Sequence, residues 1–448
     1  MAEPQPDMFE ELPAGDGLAA RRTALLILEQ ILGRKKMLDD VLSGDEAFNA
    51  LAQRDRAFVR MLVATVLRRR GQLDDLISRA LAKGEAPRPE NLKWILYLGT
   101  TQILFMDVAD HAAVDTSVTL TAENGMEGKK GFVNAVLRRM VSEGNKWGED
   151  QDAAALNFPA WLYEQWMNGY GFVRAKEIAL ASLEEASLDF TVKDPYAKGD
   201  WAKKLAARFI PTGSLRRPAG GNITNLEGFS EGAWWVQDAS AALPVRLFGD
   251  VEGKTVLDLC AAPGGKTAQL AASGAHVIAL DRSASRMKSV TENLARLGLE
   301  DKAELIIEDG AVWKPKQKFT HILLDAPCTA TGTIRRHPDL LALKNEKDQA
   351  GLVSIQERLL KNAAAMLEDG GMLIYCTCSL QKAEGEQQIE KFLKENPTFK
   401  RIPVRSEEIG GLETIINSEG DVRILPYHLK EEGGMDGFFI SRLQKSAA

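Results

Sequence analysis

The chain has 448 residues, 45% hydrophobic and 27% charged, an ordinary globular balance with ample material for a core. Its length suggests two to four domains, and no stretch approaches the 18 apolar residues of a membrane span. A net charge of −7 argues against coating nucleic acid through bulk charge, but it leaves room for a local basic face.

Residues 1–17, "MAEPQPDMFEELPAGDG", are acidic and rich in Pro and Gly. They carry neither the basic end nor the apolar centre of a signal peptide and read as a disordered tail. The expectation is a cytoplasmic protein with reduced thiols. Residues 18–143 read as an all-helical bundle. Apolar residues recur at helical spacing in Leu25, Leu28, Ile31 and Leu32, in Phe58, Met61, Leu62 and Val66, and in Phe132, Val133, Val136, Leu137 and Met140. Short breaks such as "KGEAPRPEN" separate them. Basic clusters at Arg21-Arg22, Arg34-Lys35-Lys36, Arg68-Arg69-Arg70 and Arg138-Arg139 fit either solvated helix ends or a nucleic-acid face. Residues 144–235 form a connector or small mixed domain, with an amphipathic helix around Trp161 and Trp166 and a strand in "LDFTVKDPYAK".

From 236 to 448 the pattern alternates strand and helix. The apolar runs are "TVLDLC", "HVIAL", "AELIIE", "HILLDAP", "GMLIYCTC" and "GFFISRL", with helical stretches between them. That rhythm predicts a mainly parallel sheet covered on both faces, with ligands beyond the C-terminal strand ends. The first strand ends in "DLCAAPGGKTAQL". A phosphate-binding loop would need Gly at 260, where Cys260 stands, and G-x-G-x-x-G is absent. A turn at Gly264-Gly265, stiffened by Pro263, still lets a ligand approach the backbone. The next strand ends present Asp281, Asp309 and Asp325. Successive carboxylates after a Gly loop suit a ligand with a nucleoside part and a positive charge, such as S-adenosylmethionine. The alternative is solvated caps at helix starts.

All four cysteines, Cys260, Cys328, Cys376 and Cys378, lie at or beside strand ends of this domain. No C-x-x-C spacing supports zinc or a thioredoxin-type pair, and the expectation is no metal. Cys260 and Cys376 read as small buried hydrophobes. Cys328 and Cys378 suit methyl transfer to carbon 5 of a pyrimidine, where a thiolate adding to carbon 6 makes carbon 5 nucleophilic. Asp325 would supply an acid near ring N3. From the residues alone, either Cys328 or Cys378 could attack.

"DLCAAPGGKT", "LLDAPCTATGTIRRHPD", "YCTCSL" and "GGMDGFF" together resemble the NOL/NOP/Sun family of RNA cytosine-5 methyltransferases. "DRAFVRMLVATVLRRRGQLD" and "GFVNAVLRRM" resemble a NusB-type RNA-binding module. The resemblance covers nearly all of residues 18 to 445 and is weakest between 145 and 230. It implies a NusB-like bundle, a small mixed domain and a Rossmann-like α/β methyltransferase domain that uses S-adenosylmethionine. This arrangement is that of bacterial enzymes methylating cytosine in small-subunit (16S) ribosomal RNA. Carried over by motif, Cys378 of Thr377-Cys378 is the nucleophile and Cys328 serves product release. Cys260, Ala261, Ala262, Pro263, Gly264, Gly265, Lys266, Asp281, Asp309 and Asp325 contact the cofactor, with Asp325 also serving the target base. Cys376 is packing. RNA would be held by local Lys and Arg, with the cytosine extruded. Arg335-Arg336-His337 is a candidate strand-contacting loop or an ordinary basic turn. A monomer without membrane contact is expected. Transfer RNA or another ribosomal site as substrate, or a non-catalytic RNA-binding scaffold, are the rival readings.

Overall fold

The computed structural model describes residues 16–81 and 86–447; the acidic Pro/Gly tail lies almost wholly outside them. The chain divides into two compact units. The first runs to Ala160 and also takes in His337–Leu343. Its longer helices are Asp16–Leu28, Gln53–Arg68, Arg70–Ala80, Glu90–Leu104, Asp110–Glu123 and Lys130–Glu149. Apart from Met61, which is half-buried outside it, the periodic residues predicted for them face one core. Leu28, Ile31, Leu62, Val66, Val133 and Leu137 are fully buried there, and Leu25, Leu32, Val136 and Met140 join them. The last long helix runs past 143 because "VSEGNKWGE" keeps its period, and Gly144 and Trp147 pack inward. The inserted segment belongs here because buried Asp339 accepts the Leu38 backbone N–H at 3.0 Å and Ala342 meets the bundle core.

The basic clusters divide. Arg21 is buried, donating to Gln102 at 2.7 Å and to the Gly17 carbonyl at 2.8 Å. Arg22 makes a surface pair with Glu123 at 2.8 Å. Arg138 and Arg139 lie in mid-helix rather than at a helix end. Arg34, Lys35 and Lys36 do follow the end of a helical segment and are exposed.

The second unit comprises Trp161–Arg336 and Lys344–Ala448. It opens one residue into helix Ala160–Tyr170, which buries Trp166 completely, and continues with helix Phe172–Ser182. A small antiparallel sheet follows, from β1 (Leu188–Val192), β2 (Arg208–Phe209), β3 (Leu215–Arg217) and β4 (Trp234–Val236), in the order β2-β3-β1-β4. The Gly/Pro-rich turns hid its last three short strands from periodicity.

The large sheet contains β5 (Thr255–Leu259), β6 (His276–Asp281), β7 (Ala303–Ile307), β8 (Phe319–Asp325), β9 (Leu367–Thr377), β10 (Phe399–Arg401), β11 (Val422–Ile424) and β12 (Phe438–Lys445). Its order is β10-β12-β9-β8-β5-β6-β7, with β11 also paired to β12. Strands β5 to β9 are mutually parallel and β12 is antiparallel to β9. Apolar layers cover both faces, so Val256 packs on one side and neighbouring Leu257 on the other. The helix Ala284–Leu297 starts where the Ser283 hydroxyl caps the Arg286 N–H and ends at left-handed Gly298. After β5 the chain winds towards β7, and later returns to the other side of β5 through β8 and β9. The crevice at such a reversal is the ligand position of this sheet class.

Candidate active site

The C-terminal ends of β6, β5, β8 and β9 lie side by side at the reversal and carry Asp281, Cys260, Asp325 and Thr377-Cys378. After β5 the backbone turns sharply: Cys260 has φ +64° and Gly264 φ +101°. Gly264 is required twice over, by that conformation and because a Cβ there would meet Val290 Cγ1 at 3.1 Å. The turn is tied to β6, since Ala261 N–H donates to the Leu280 carbonyl at 3.0 Å and Ala262 N–H to Asp281 Oδ2 at 3.2 Å. Asp281 Oδ1 also accepts from Ser283 N–H at 2.9 Å, and Arg286 lies 3.6 Å from its carboxylate. Pro263 stands exposed at the turn. Asp309 is exposed beyond β7 and accepts from Ala311 N–H at 2.9 Å.

Lys266, in the first turn of helix Gly265–Ala272, is buried and donates to Asp325 Oδ2 at 2.7 Å. Burial alone would favour its neutral amine, but Asp325 and then Cys376 outweigh that and raise its pKa. The Lys266 ammonium therefore serves a carboxylate rather than a phosphate cradle. That donor set, carboxylates around a glycine turn with its one lysine engaged, fits a nucleoside cofactor carrying positive charge. Below it, fully buried Asp258 accepts from the Thr267 hydroxyl at 2.7 Å, and burial pushes its pKa up to about 7.

The four thiols separate into two kinds. Cys376 is fully buried and donates to Asp325 Oδ1 at 3.5 Å. Burial, then Asp325, pushes it well up. Desolvation does the same to Cys260, but its side chain is only partly buried, so the expectation of a buried small hydrophobe is met by Cys376 alone. Both are inert thiols at neutral pH. Cys328 and Cys378, only partly buried, are in contact, Sγ to Sγ 3.5 Å. Contact with Cys378 and then burial push Cys328 well above the ordinary thiol value. Sulfurs this close can share one proton, so one can act as thiolate while the other holds the proton.

The loops carrying this pair are joined by backbone bonds. Ala326 N–H donates to the Cys376 carbonyl and Gly332 N–H to that of Cys378, both at 2.9 Å, while Gly437 N–H donates to Gly332 at 2.8 Å. Gly332 admits no side chain, since a Cβ would sit 2.0 Å from the Gly437 carbonyl. Periodicity and motif reasoning passed over the polar residues beneath: Glu384, Thr329, Ser379, Gln381 and Gln356, all buried. Only folding distinguishes Glu384 from Glu390, which is exposed in the same run "EGEQQIEKF".

Arg335 and Arg336 correct an expectation. Arg335 is buried and donates to the Glu185 carbonyl at 3.2 Å and to that of Gly433 at 2.5 Å. Arg336 bridges Asp238 at 2.8 Å and Asp436 at 2.7 Å, both carboxylates nearly inaccessible. His337, in the other unit, lies 3.4 Å from Asp39. The two arginines brace the interior of their unit and form neither a strand-contacting loop nor a solvated turn.

Comparison with known proteins agrees with this architecture. Residues 246–444 match the family model described as 16S rRNA methyltransferase RsmB/F, and residues 18–142 match the NusB family model. The probable ribosomal RNA small subunit methyltransferase B of Synechocystis sp. is 33% identical over 96% of this chain and 100% of its own length. The ribosomal RNA small subunit methyltransferase B of Cronobacter sakazakii is 31% identical over 95% of this chain and 98% of its own. The solved structure of PH0851 matches in fold, with a TM-score of 0.76, 24% identity and coverage of 97% of this chain and 100% of that one. With a NusB module ahead of a glycine-turn methyltransferase sheet, and near full-length identity to these enzymes, the chain belongs to the ribosomal RNA small subunit methyltransferase B family of S-adenosylmethionine-dependent RNA methyltransferases.

Proposed function

We propose that the protein methylates carbon 5 of one cytosine in 16S ribosomal RNA, with Cys378 as nucleophile. The observation that carries this reading is the Cys328–Cys378 contact of 3.5 Å on the strand ends beside the glycine turn. S-adenosylmethionine supplies an electrophilic methyl group on a sulfonium. The residues that would hold it are the turn Cys260, Ala261, Ala262, Pro263, Gly264, Gly265 and Lys266, with Asp281, Asp309 and Asp325.

Cys378, as thiolate, bonds to carbon 6 of the cytosine, and the C5=C6 electron pair moves onto carbon 5. Asp325 contacts the base. With the Lys266 ammonium bound to it, the proton assisting addition at N3 is drawn from the Lys266–Asp325 pair. Once carbon 5 has taken the methyl group, Cys328, its own proton having passed to solvent, draws off the carbon 5 proton, and the N3 proton returns to the Lys266–Asp325 pair. The C5=C6 bond then re-forms, the S–C6 bond breaks, and Cys378 leaves as thiolate. Cys328 lies against the sulfur it must help to free, which suits it to release. The cytosine has to leave its stack to reach the partly buried sulfurs, so single-stranded or looped RNA is the fitting form. The work is carried out in the cytoplasm by a monomer.

The test is methyl transfer from labelled S-adenosylmethionine to unmethylated small-subunit ribosomal RNA, with mapping of 5-methylcytosine. One modified cytosine is expected. Cys378→Ala should abolish both transfer and adduct, and Cys328→Ala should leave a protein–RNA adduct stable to denaturation. Exchanged phenotypes would reverse the two roles. Transfer only to transfer RNA would retain the chemistry and overturn the substrate.

A further inference from the structure

Beneath the two thiols lies a carboxylate that neither bonds a sulfur nor faces the glycine turn. Glu384 is fully buried, at the end of the short turn Lys382–Glu384. Four donors converge on it. Oε1 accepts from Thr329 N–H and from Gln356 Nε2, each at 3.0 Å. Oε2 accepts from the Thr329 hydroxyl at 2.5 Å and the Ser379 hydroxyl at 2.6 Å. Thr329 directly follows Cys328, and Ser379 directly follows Cys378. Gln356 also donates to the carbonyl of Pro327, the residue before Cys328, at 2.9 Å. One carboxylate thus ties together the loops that carry both sulfurs. A buried acceptor with every lone-pair direction used is a rigid clamp, and losing it would leave its donors unsatisfied.

The two loops depend on it unequally. Cys378 sits one residue beyond β9 and has a tie of its own outside Glu384, from Arg423, which donates to the Ser379 carbonyl at 2.6 Å and pairs with Glu386, while Gly332 N–H on the Cys378 carbonyl joins the two loops. The flanks of Cys328 lean on Glu384 more heavily, through both the N–H and the hydroxyl of Thr329 and through Gln356 on the Pro327 carbonyl. The Ala326 N–H, the contacts of the Thr329 hydroxyl with Thr331 and Ser379, and the Ala330 N–H toward the sulfur add to these. Resting on the two-cysteine reading above, we infer that Glu384 is a positioning residue for product release. It holds Cys328 against Cys378, so that the carbon 5 proton is removed once the methyl group is in place.

Loosening the clamp should therefore slow release more than addition. For Glu384→Ala the expected result is a fall in kcat of about 10- to 100-fold per S-adenosylmethionine-binding site, the scale of a lost hydrogen bond to a charged group. Cofactor affinity should change less than about twofold, and a denaturation-stable RNA adduct should accumulate as in Cys328→Ala. Glu384→Gln keeps one carbonyl oxygen, and its amide can meet the two hydroxyls once they rotate, so it should restore part of the turnover and shrink the adduct. Thr329→Val and Ser379→Ala each delete one bond to Oε2, leave the backbone tie intact, and should give a smaller adduct signal. They decide the matter if Glu384→Ala does not fold. The inference is overturned if all these variants release product at the unmodified rate. It is overturned equally if activity falls only in proportion to cofactor-binding sites with no adduct, since that is a stability effect. Transfer surviving in Cys378→Ala would sink the underlying mechanism. A trapped adduct in Cys328→Ala, with none in the Thr329, Ser379 and Glu384 variants, would sink the Glu384 role alone.

Discussion

The two units solve the problem of a stable interior in opposite ways. Among the described residues of Asp16–Ala160, the buried polar side chains are neutral apart from Arg21 and Arg68, and none is Asp or Glu. The carboxylate buried in that unit, Asp339, arrives on the inserted segment. The methyltransferase unit instead buries Asp189, Asp258, Asp281, Glu384, Asp421 and Asp436. Arginines meet several of them: Arg216 on Asp189, Arg336 on Asp436 and Arg401 on Asp421. An apolar core is non-directional and accepts small changes of shape. Buried ionic networks demand geometry, and they punish the loss of one partner far more than they reward the pair. The helical unit is thus built for tolerance and the catalytic unit for precise placement.

The largest effect should come from breaking the inner ion pair. Arg216 grips Asp189 with two bonds, at 2.6 and 2.7 Å, and donates to the Gly434 carbonyl at 2.5 Å. Arg216→Ala strands Asp189 in the interior and should cost about 3 to 5 kcal/mol in urea unfolding. Next comes acid sensitivity at His428, whose Nδ1 accepts from Leu425 N–H at 3.0 Å and whose pKa burial lowers to about 4. A depressed folded-state pKa means its contribution is fully present above the unfolded value near 6.5 and is lost as pH falls through about 4. That contribution is at most about 3 kcal/mol. Asp258, its pKa raised to about 7, contributes with the opposite sign over this range, so the loss should appear as the difference in unfolding stability between the protein and His428→Gln from pH 7 to pH 4. In the helical unit, Leu62 is fully buried, yet Leu62→Met should cost less than about 1.5 kcal/mol because the volume is conserved. Smallest of all, Arg34→Ala removes an exposed pair with Glu29 and should change stability by about 0 to 0.5 kcal/mol. The contrast between the units fails if Leu62→Met proves as damaging as Arg216→Ala.

The same contrast explains what reading the chain could reach. In the helical unit, Leu28, Leu62 and Leu137 announce their burial through a period of 3.6, and they are buried. The strands β5, β6, β8 and β9 are equally plain as apolar runs, and the residues closing them, Cys260, Asp281, Asp325 and Cys378, meet along one sheet edge. Short strands such as β2 and β3 were not legible, because two or three residues among turns set no period. Arg335 and Arg336 misled because a charged pair in a loop usually faces water. Here Asp238 and Asp436, about 100 positions away in each direction, draw Arg336 inward.

The sequence by itself determined the helical periodicity, the alternation that makes a parallel sheet, and the identities of the groups at its strand ends, because these follow from local pattern and backbone geometry. Only the tertiary structure decided which sulfurs touch, that Lys266 is taken by Asp325, and that Glu384 lies beneath both thiol loops. Each of those facts depends on directional bonds between segments tens of residues apart, and no local pattern carries that information.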